Sequence, residues 1–299
     1  MSAQQLSKQQ PLLHPGQILV YLGLSVISFI MVAPFLYLVL SSLKTNEEML
    51  AYPPVLIPTV WAWSNYIDTW QHGAFDRYFL NSLYVSGVRT LLTLFTSALA
   101  AHSFARLSFP GRGLLFMIVL TTLMLPPQVT IIPVYVLIRY MPLFGGNDIL
   151  GQGGTGMINT YAGLIIPGYA SAISIFLLRQ FMMTLPRDLD DAARIDGATE
   201  FGIFYRIILP LTKPALAAVA LFTFQGTWNE FLWPLLVGQN RQLWTLPVAL
   251  SRFVIDAETG LVQWPNLLAG TVIATIPIIV VFLFSQKYFI RGIALSGFK

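Results

Sequence analysis

Residues 184–213 read TLPRDLDDAARIDGATEFGIFYRIILPLTK and form a long polar connection between two strongly apolar segments of the chain. Pro186 suits the first turn of a helix, where its missing N–H costs nothing. The following turn is acidic, as a helix N-terminus favours; it holds Asp188, Asp190 and Asp191. We predict a short helix here, with one side formed by small and apolar residues: Leu189, Ala192, Ala193 and Ile195.

Gly197 interrupts this helix and offers the free backbone angles of a tight turn. A second helix follows, with an apolar and aromatic stripe at helical spacing: Phe201, Phe204, Tyr205, Ile208 and Leu209. Pro210 is expected to close it. On pattern alone, two interpretations stay open: the stripe lies on a membrane surface, or it docks on a partner protein.

The composition indicates a membrane protein. Of 299 residues, 56% are hydrophobic and only 10% are charged, whereas a soluble domain normally has about a quarter charged residues. A spanning helix needs about 20 mostly apolar residues. The sequence predicts an all-α fold with six such spans, at residues 17–43, 79–104, 114–138, 161–178, 214–236 and 266–286.

The distribution of Lys and Arg predicts the orientation. Most of these residues fall in inner segments if the N-terminus is cytoplasmic, so the positive-inside rule puts both termini in the cytoplasm. The predicted organisation is a cytoplasmic leader at residues 1–16, a transmembrane domain at residues 17–290 and a cytoplasmic tail at residues 291–299. The segment 184–213 is then a cytoplasmic loop between the fourth and fifth spans.

Several function classes lack their sequence signals. The chain has no cysteine for a thiolate metal site, and its histidines, His14, His72 and His102, have no metal-ligand spacing. No lysine follows a glycine, so no Walker-type phosphate loop exists, and residues 145–156 (GGNDILGQGGTG) lack both a strand and a lysine. The net charge of +4 forms no basic cluster that would indicate nucleic acid. We predict that the chain is not an enzyme and holds no cofactor.

The spacing within residues 184–213 matches a known pattern. Asp191-Ala192-Ala193, three residues, Gly197, nine residues, Ile207, one residue and Leu209-Pro210 resembles the EAA motif of ABC-importer permeases. Asp191 stands where that family usually has Glu. The resemblance implies that the loop is the coupling helix that inserts into the ATP-hydrolysing subunit. Ala193 and Gly197 would allow close approach, and Asp191 would pair with a basic group on that partner.

The resemblance extends over nearly the whole chain. Segments similar to carbohydrate-uptake permeases are Asn81-Ser82-Leu83, Arg106–Gly111, Trp228–Leu235 and Arg291-Gly292-Ile293. The chain resembles the second permease of maltose and multiple-sugar systems in the bacterial inner membrane. This resemblance implies four kinds of partner: a related permease, two ATP-binding-cassette subunits that hold ATP and Mg²⁺, an external solute-binding protein and a small-molecule solute.

Polar residues within the spans are candidates for the solute path. Asn229 and Glu230 lie in the predicted fifth span, flanked by Trp228 and Trp233. They either bond sugar hydroxyls while a tryptophan stacks on the sugar, or they join helices or form a gate. For Arg89 in the second span two alternatives are also open: an ion pair with an acidic group, which we favour, or contact with the solute.

Prolines mark breaks in two other spans. Pro126-Pro127-Gln128 breaks the third, and Pro167-Gly168 loosens the fourth. Because broken helices often line transport cavities, the further path candidates are Gln128, Tyr169, Ser171 and Ser174.

Three competing functions remain. A permease for another polar solute, such as a phosphorylated polyol, would have the same loop. An ion-coupled transporter would need paired intramembrane acids and inverted halves, but the spans hold one clear acid, Glu230, and no repeat. A membrane enzyme would need a catalytic cluster, which the sequence does not contain.

Overall fold

The computed structural model describes residues 15–71, 74–252 and 262–296. These residues form helices and irregular segments with no strand among them, which confirms the helical fold class. Residues 1–14 of the predicted leader lie outside the described residues. The same is true of His72 and of residues 297–299 of the predicted tail. No structural interruption marks the predicted boundary at residue 290, because one helix runs through it to Ser296.

The helices follow one another along the chain with short connections. The first half contains α1 (Pro15–Ser42), α2 (Asn46–Leu50), α3 (Ser64–Gln71), α4 (Phe75–Arg106), α5 (Arg112–Thr121), α6 (Pro127–Arg139), α7 (Tyr161–Ile165) and α8 (Ala172–Met183). The second half contains α9 (Asp188–Ile195), α10 (Glu200–Ile203), α11 (Leu209–Leu211), α12 (Lys213–Trp228), α13 (Leu232–Val237), α14 (Leu246–Arg252) and α15 (Trp264–Ser296).

Three helices in the described residues are long and apolar enough to cross a membrane alone: α1, α4 and α15. Three further pairs of helices pass the same test only together and are bent at a short break. The number of spans is therefore three, or up to six if each bent pair is one span. The prediction of six spans stays a prediction.

The third predicted span is bent much more sharply than a straight helix allows. Its two arms, Arg112–Met124 and Pro127–Arg139, meet at 106°. Leu125 and Pro126 are extended between them, with ψ of 119° and 130°. The cause is local, since a residue before proline is pushed out of helical geometry and Pro127 cannot donate a helical hydrogen bond. The predicted break at this position is confirmed.

The fourth and fifth predicted spans are also interrupted. Tyr161–Gly168 and Ala172–Met183 meet at 46°, at the predicted Pro167-Gly168 site. The predicted fifth span, residues 214–236, also contains a break, because α12 ends at Trp228 and α13 begins only at Leu232.

The long helix α4 is the centre of the fold, and it packs against α8, α12 and α14. Its buried face is unusually polar for an apolar span; the polar residues on it are Asn81, Ser82, Ser86, Thr90, Thr93, Ser97, His102 and Arg106. Several of these side chains bind backbone atoms of neighbouring segments. Asn81 Nδ2 donates to the carbonyls of Gln242 and Trp244 at 2.9 Å each, and Ser82 Oγ accepts from Leu246 N at 2.7 Å. This polar face therefore holds the irregular segment between α13 and α14.

Apolar side chains form three clusters along α4. Near Arg106, the first contains Ala98, Ala101, Ala105, Leu178, Met182, Ile203, Phe204, Ile208 and Val219. Alanines on α4 let the backbones of α4 and α8 approach closely, as small residues do in membrane helix pairs. In the Phe75 half of α4, the second contains Val85, Ile138, Leu164, Trp233 and Val237, and the third contains Phe75, Tyr78, Phe224, Trp228, Leu246 and Ala249.

Trp228 joins α12 to α15 in the third cluster. It is 2% exposed, its ring stacks on Phe224, and its Nε1 donates to the Ala274 carbonyl at 3.0 Å. We predict that Trp228→Ala lowers the thermal unfolding midpoint in detergent by several degrees, because such a truncation costs about 3–5 kcal/mol. Trp61→Ala, at a residue that is 50% exposed, is the control and should change it little. An equal effect of the two variants would contradict this assignment.

Candidate functional site

The loop 184–213 contains the predicted helix–glycine–helix arrangement. The first helix is α9, whose first turn is acidic as expected. Gly197 has φ of +80°, the left-handed region, and Ala198 N donates to the Ala193 carbonyl at 2.9 Å across the turn. This is the usual way to end a helix with glycine, because a side chain there would be strained. The tight turn at Gly197 is confirmed.

A buried ion pair fixes this loop to the end of α4. Arg106 Nη1 donates to Asp190 Oδ2 at 3.0 Å, and the two side chains are 2% and 5% exposed. Arg106 Nη2 also donates to the carbonyls of Met182 and Leu185, at 2.6 and 2.9 Å. Sequence reasoning missed this contact, because it explained Asp190 by the helix dipole alone. No spacing rule connects two residues 84 positions apart.

The two faces of α9 differ from the prediction. Ala193 is 7% exposed and packs in the first cluster, whereas Leu189, Ala192 and Ile195 point outward. The expectation that Ala193 shares their side was wrong. At 100° per residue Ala193 lies close to Asp190, and the ion pair of Asp190 turns that side towards α4. Ile195, 87% exposed, is the apolar end of the outward face.

The second helix of the loop runs from Glu200 to Leu211 and contains a π-helical turn at Phe204–Ile208. The expectation that Pro210 closes the helix was wrong, since α11 continues through it. A π turn bonds i to i+5 and so tolerates a proline without N–H just beyond it.

The predicted aromatic stripe is divided between two sides. Phe204 and Ile208 are buried in the first cluster, whereas Phe201 and Tyr205 are 67% and 62% exposed. Of the remaining motif residues, Ile207 and Leu209 are half-buried and Pro210 is exposed. The loop therefore has an inner side that folds onto α4 and an outer side of exposed apolar residues. On this outer side the Phe201 ring contacts the Phe204 ring, and Phe201 and Tyr205 line a cavity together with residues of α4.

Two exposed carboxylates of the loop, those of Asp191 and Glu200, are paired within the chain. Arg194 donates to Asp191 Oδ1 at 2.9 Å and to Glu200 Oε1 at 2.8 Å. The hydrogen bond from Arg194 lowers the pKa of the Glu200 carboxyl below its ordinary value of 4.5. The same contacts raise the pKa of Arg194, with the Glu200 bond as the largest cause. Asp191, expected to pair with a partner, already has a basic group beside it.

A second group of functional candidates meets near the middle of α4. Arg89 Nη1 donates to Glu230 Oε2 at 2.5 Å, and Arg89 Nε donates to the Gly168 carbonyl at 3.0 Å. The ion pair expected for Arg89 is confirmed. Thr93 Oγ1, one turn further on, donates to the Tyr169 carbonyl at 2.9 Å. Two broken spans are thereby bound to one turn of α4.

Two cavities adjoin Arg89. The first, about 370 Å³, has walls that include Gln128, Pro167, Glu230 and Trp233. The second, about 380 Å³, has walls that include Ser171, Ser174, Thr223 and Thr227. Both are lined by Arg89 and Gly168. Five of the predicted path residues therefore lie on a cavity wall.

Three other path candidates do not line either cavity. Trp228 is packed in the third cluster, contrary to the expectation that it faces a path. Asn229 is exposed beyond the end of α12, and Tyr169 contributes its backbone carbonyl to Thr93. From the sequence, Gly168 was expected only to loosen the fourth span, and its contact with Arg89 was missed. A side chain at this position would overlap the Arg89 guanidinium, which only the tertiary contact reveals.

Comparisons with known proteins agree on one kind of protein. A family model described as binding-protein-dependent transport system inner membrane component matches residues 93–295. The arabinooligosaccharides transport system permease protein AraQ of Bacillus subtilis is 36% identical over 294 residues, which cover 96% of this chain and 99% of that protein. The sn-glycerol-3-phosphate transport system permease protein UgpE of Pectobacterium atrosepticum is 35% identical, over 83% of this chain and 85% of that protein.

A solved structure has the same fold. It is a bacterial ABC transporter involved in the import of the acidic polysaccharide alginate, and one of its chains matches with a TM-score of 0.78. The match covers 91% of this chain and 95% of that chain at 21% identity. At this identity the similarity concerns the arrangement of helices.

The Arg106–Asp190 pair gives a stability prediction. Asp190→Asn should destabilise the protein by about 3–5 kcal/mol, because it leaves a buried guanidinium without its counter-charge. The apolar double variant Arg106→Met/Asp190→Leu should recover only part of this loss, because it removes the unpaired charge but also the hydrogen bonds from Arg106 to the Met182 and Leu185 carbonyls. Thermal unfolding in detergent, together with limited proteolysis of the loop, measures both effects. A double variant as unstable as the single one would contradict a role that rests on charge pairing.

The Arg194–Glu200 pair gives a pH prediction. Because folding lowers the pKa of Glu200, the stability from this pair is present above the unfolded-state pKa and is lost as pH falls through the lowered value. In Arg194→Gln the carboxyl should titrate closer to 4.5. A ¹³C-carboxyl NMR titration measures this, with Glu200→Gln to identify the resonance. An unchanged titration in Arg194→Gln would assign the shift to another group.

Proposed function

This chain belongs to the family of binding-protein-dependent transport system inner membrane components, and on that premise we propose that it imports a neutral sugar or oligosaccharide as one of two permease subunits. It is a transport component of an ABC importer. Its role is to form part of the solute path and to transmit the work of ATP hydrolysis to that path. The outward apolar side of loop 184–213 is the observation that carries this proposal.

The loop is the proposed docking site for the ATP-hydrolysing subunit. Its inner side is fixed by Arg106 and by the buried Ile203, Phe204 and Ile208. Its outer side offers Leu189, Ala192, Ile195, Phe201 and Tyr205 on either side of the Gly197 turn. A rigid base beneath an exposed apolar side suits insertion into a groove on a partner. The proposed assembly contains a related permease, two such ATPase subunits, which hold ATP and Mg²⁺, and an external solute-binding protein.

The proposed orientation places the loop and both termini in the cytoplasm of a bacterium. Arginines gather at the loop end of the helices: Arg106, Arg112, Arg179, Arg194 and Arg206. Tryptophans lie at the opposite end of α4, where Trp70 contacts Phe75 and Trp244 contacts Tyr78. Basic residues on the inner side and aromatic residues at a lipid–water boundary are typical of membrane proteins in this orientation.

The charge of the mid-span site favours a neutral solute. Arg89 is already paired with Glu230, so a phosphate entering the first cavity would find no free cation among the described residues that line it. Hydroxyl groups, by contrast, can both accept from a guanidinium and donate to a carboxylate. The similarity to a glycerol-3-phosphate permease keeps a phosphorylated polyol as the second candidate. The similarity to the arabinooligosaccharide permease, which extends over 96% of this chain, supports the neutral sugar.

The loop gives the decisive test. Ala192→Arg adds a long charged side chain to the outer side of α9 without backbone strain, and Gly197→Arg adds one at the turn. We expect either variant to remain in the membrane but to lose the ATPase on affinity purification in mild detergent. ATP-driven uptake of a neutral oligosaccharide into proteoliposomes should fall at least about tenfold, as for loss of more than about 1.4 kcal/mol of docking energy.

Gly197→Asn is the matched control, because asparagine tolerates a left-handed backbone and stays small. It should keep most of the ATPase binding and uptake. Full uptake by Ala192→Arg would contradict docking through this side of the loop. Purification of the wild-type chain without any ATPase, in several detergents, would instead favour an ion-coupled transporter with a membrane-surface loop.

A further inference from the structure

The two cavities beside Arg89 lie on opposite sides of it along α4. Trp233 and Val134, which line the first cavity, belong to or pack on the cluster around Val85, in the Phe75 half of α4. Val219, which lines the second, belongs to the cluster around Ala98, in the Arg106 half. Arg89 and Gly168 are the lining residues that the two cavities share. One guanidinium and one backbone carbonyl therefore separate two spaces of similar size.

The two partners of Arg89 are the far ends of the helices that enter and leave loop 184–213. Gly168 lies just before α8, which leads into the loop, and Glu230 lies just after α12, which leads out of it. A movement of the loop that tilts α8 and α12 relative to α4 would therefore stretch or break the bonds of Arg89. Rigid helices transmit such movements because packed elements shift as units.

We propose that Arg89, with Glu230 and the Gly168 carbonyl, is the gate that this chain contributes between the two cavities. This inference rests on the proposed import function. In the closed state the ion pair blocks passage, and the two charges neutralise each other. The gate opens when the loop draws Glu230 and Gly168 away from Arg89, and solute hydroxyls replace the lost bonds on both charged groups as the solute passes.

An ion pair suits this position better than an apolar plug. An apolar contact would close the cavities but would offer nothing to a hydroxyl-bearing solute on opening. Arg89 and Glu230 are 17% and 30% exposed, so both reach the cavity surface while they bind each other. A pair that served only to join helices would need no such access. The access of both partners to a cavity separates the gate from simple interhelical bonding.

Gly168 allows the gate to be opened without removing a charge. A Cβ at this position would overlap the Arg89 guanidinium, a flexible side chain that can move aside. Gly168→Ala should therefore displace Arg89 from the Gly168 carbonyl and from the boundary between the cavities. Gly87→Ala is the matched control, because Gly87 also lies on α4 close to Arg89, and a Cβ added there would meet no atom within 4 Å.

The chain has no cysteine, so a single introduced thiol is the only one in this chain that a thiol reagent can label. Single thiols are placed in the first cavity as Thr130→Cys and in the second as Thr223→Cys, within the complete importer in oriented membrane vesicles. A membrane-impermeant thiol reagent is then added on one side without ATP. With the gate closed, the reagent entering from the side of the first cavity should label Thr130→Cys but not Thr223→Cys. With Gly168→Ala, labelling of Thr223→Cys from that side should rise at least about tenfold.

Glu230→Gln provides a second route if Gly168→Ala does not assemble, since it keeps a hydrogen-bonding side chain but removes the counter-charge. It should give the same new labelling, and Gly87→Ala should give none. Unchanged labelling in assembled Gly168→Ala and Glu230→Gln importers would overturn the gate and leave the pair as interhelical bonding. ATP-driven uptake by the wild type is measured in parallel. If the wild type transports but the variants show no new labelling of Thr223→Cys, only the gate is rejected. If the wild type shows no ATP-driven transport, the proposed function is rejected.

Discussion

The fold depends on satisfying backbone groups that broken helices leave unpaired inside a membrane. Each interruption frees carbonyl and amide groups that have no water to bind, and leaving one unsatisfied there costs several kcal/mol. Helix α4 supplies the partners. Asn81 and Ser82 bind the segment before α14, while Arg89 and Thr93 bind the break before α8. The chain can therefore interrupt its predicted fourth span, and hold the segment that follows its predicted fifth span, because α4 carries polar side chains at the required positions.

The same principle places the loop. Arg106, at the last residue of α4, binds Asp190 and the carbonyls that end α8. The buried Ile203, Phe204 and Ile208 add on the order of 2 kcal/mol each if they are fully removed from water. The contacts of Arg194 with Asp191 and Glu200 are exposed to solvent and contribute little to stability. The inner side thus determines the position of the loop, and its outer side is free to serve a partner.

The contacts that fix the loop and the contacts that can open lie at different positions along α4. At its loop end the contacts are buried and numerous, so the loop and the end of α8 stay attached to α4 there. At its middle, two bonds of one guanidinium hold the far ends of α8 and α12, and both charged partners border a cavity. Separating this pair without replacement would cost several kcal/mol, while replacement by hydroxyl groups recovers much of that cost. In the proposed gate, the middle of α4 is where a polar solute changes the balance between two arrangements.

The sequence by itself determined that the chain is a helical membrane protein, that its third and fourth spans break at prolines and that a glycine turns the loop. These features are local, because hydropathy, proline geometry and the left-handed angle of Gly197 act over a few residues. It also determined the family, through the spacing from Asp191 to Pro210. Only the tertiary structure decided which face of each loop helix is buried, because Asp190 and Phe204 find their partners on α4, far away in sequence. The same holds for Gly168 and Trp228: a glycine required by a distant guanidinium and a tryptophan held in a core have no local signature, since what they contact is set by how the helices pack.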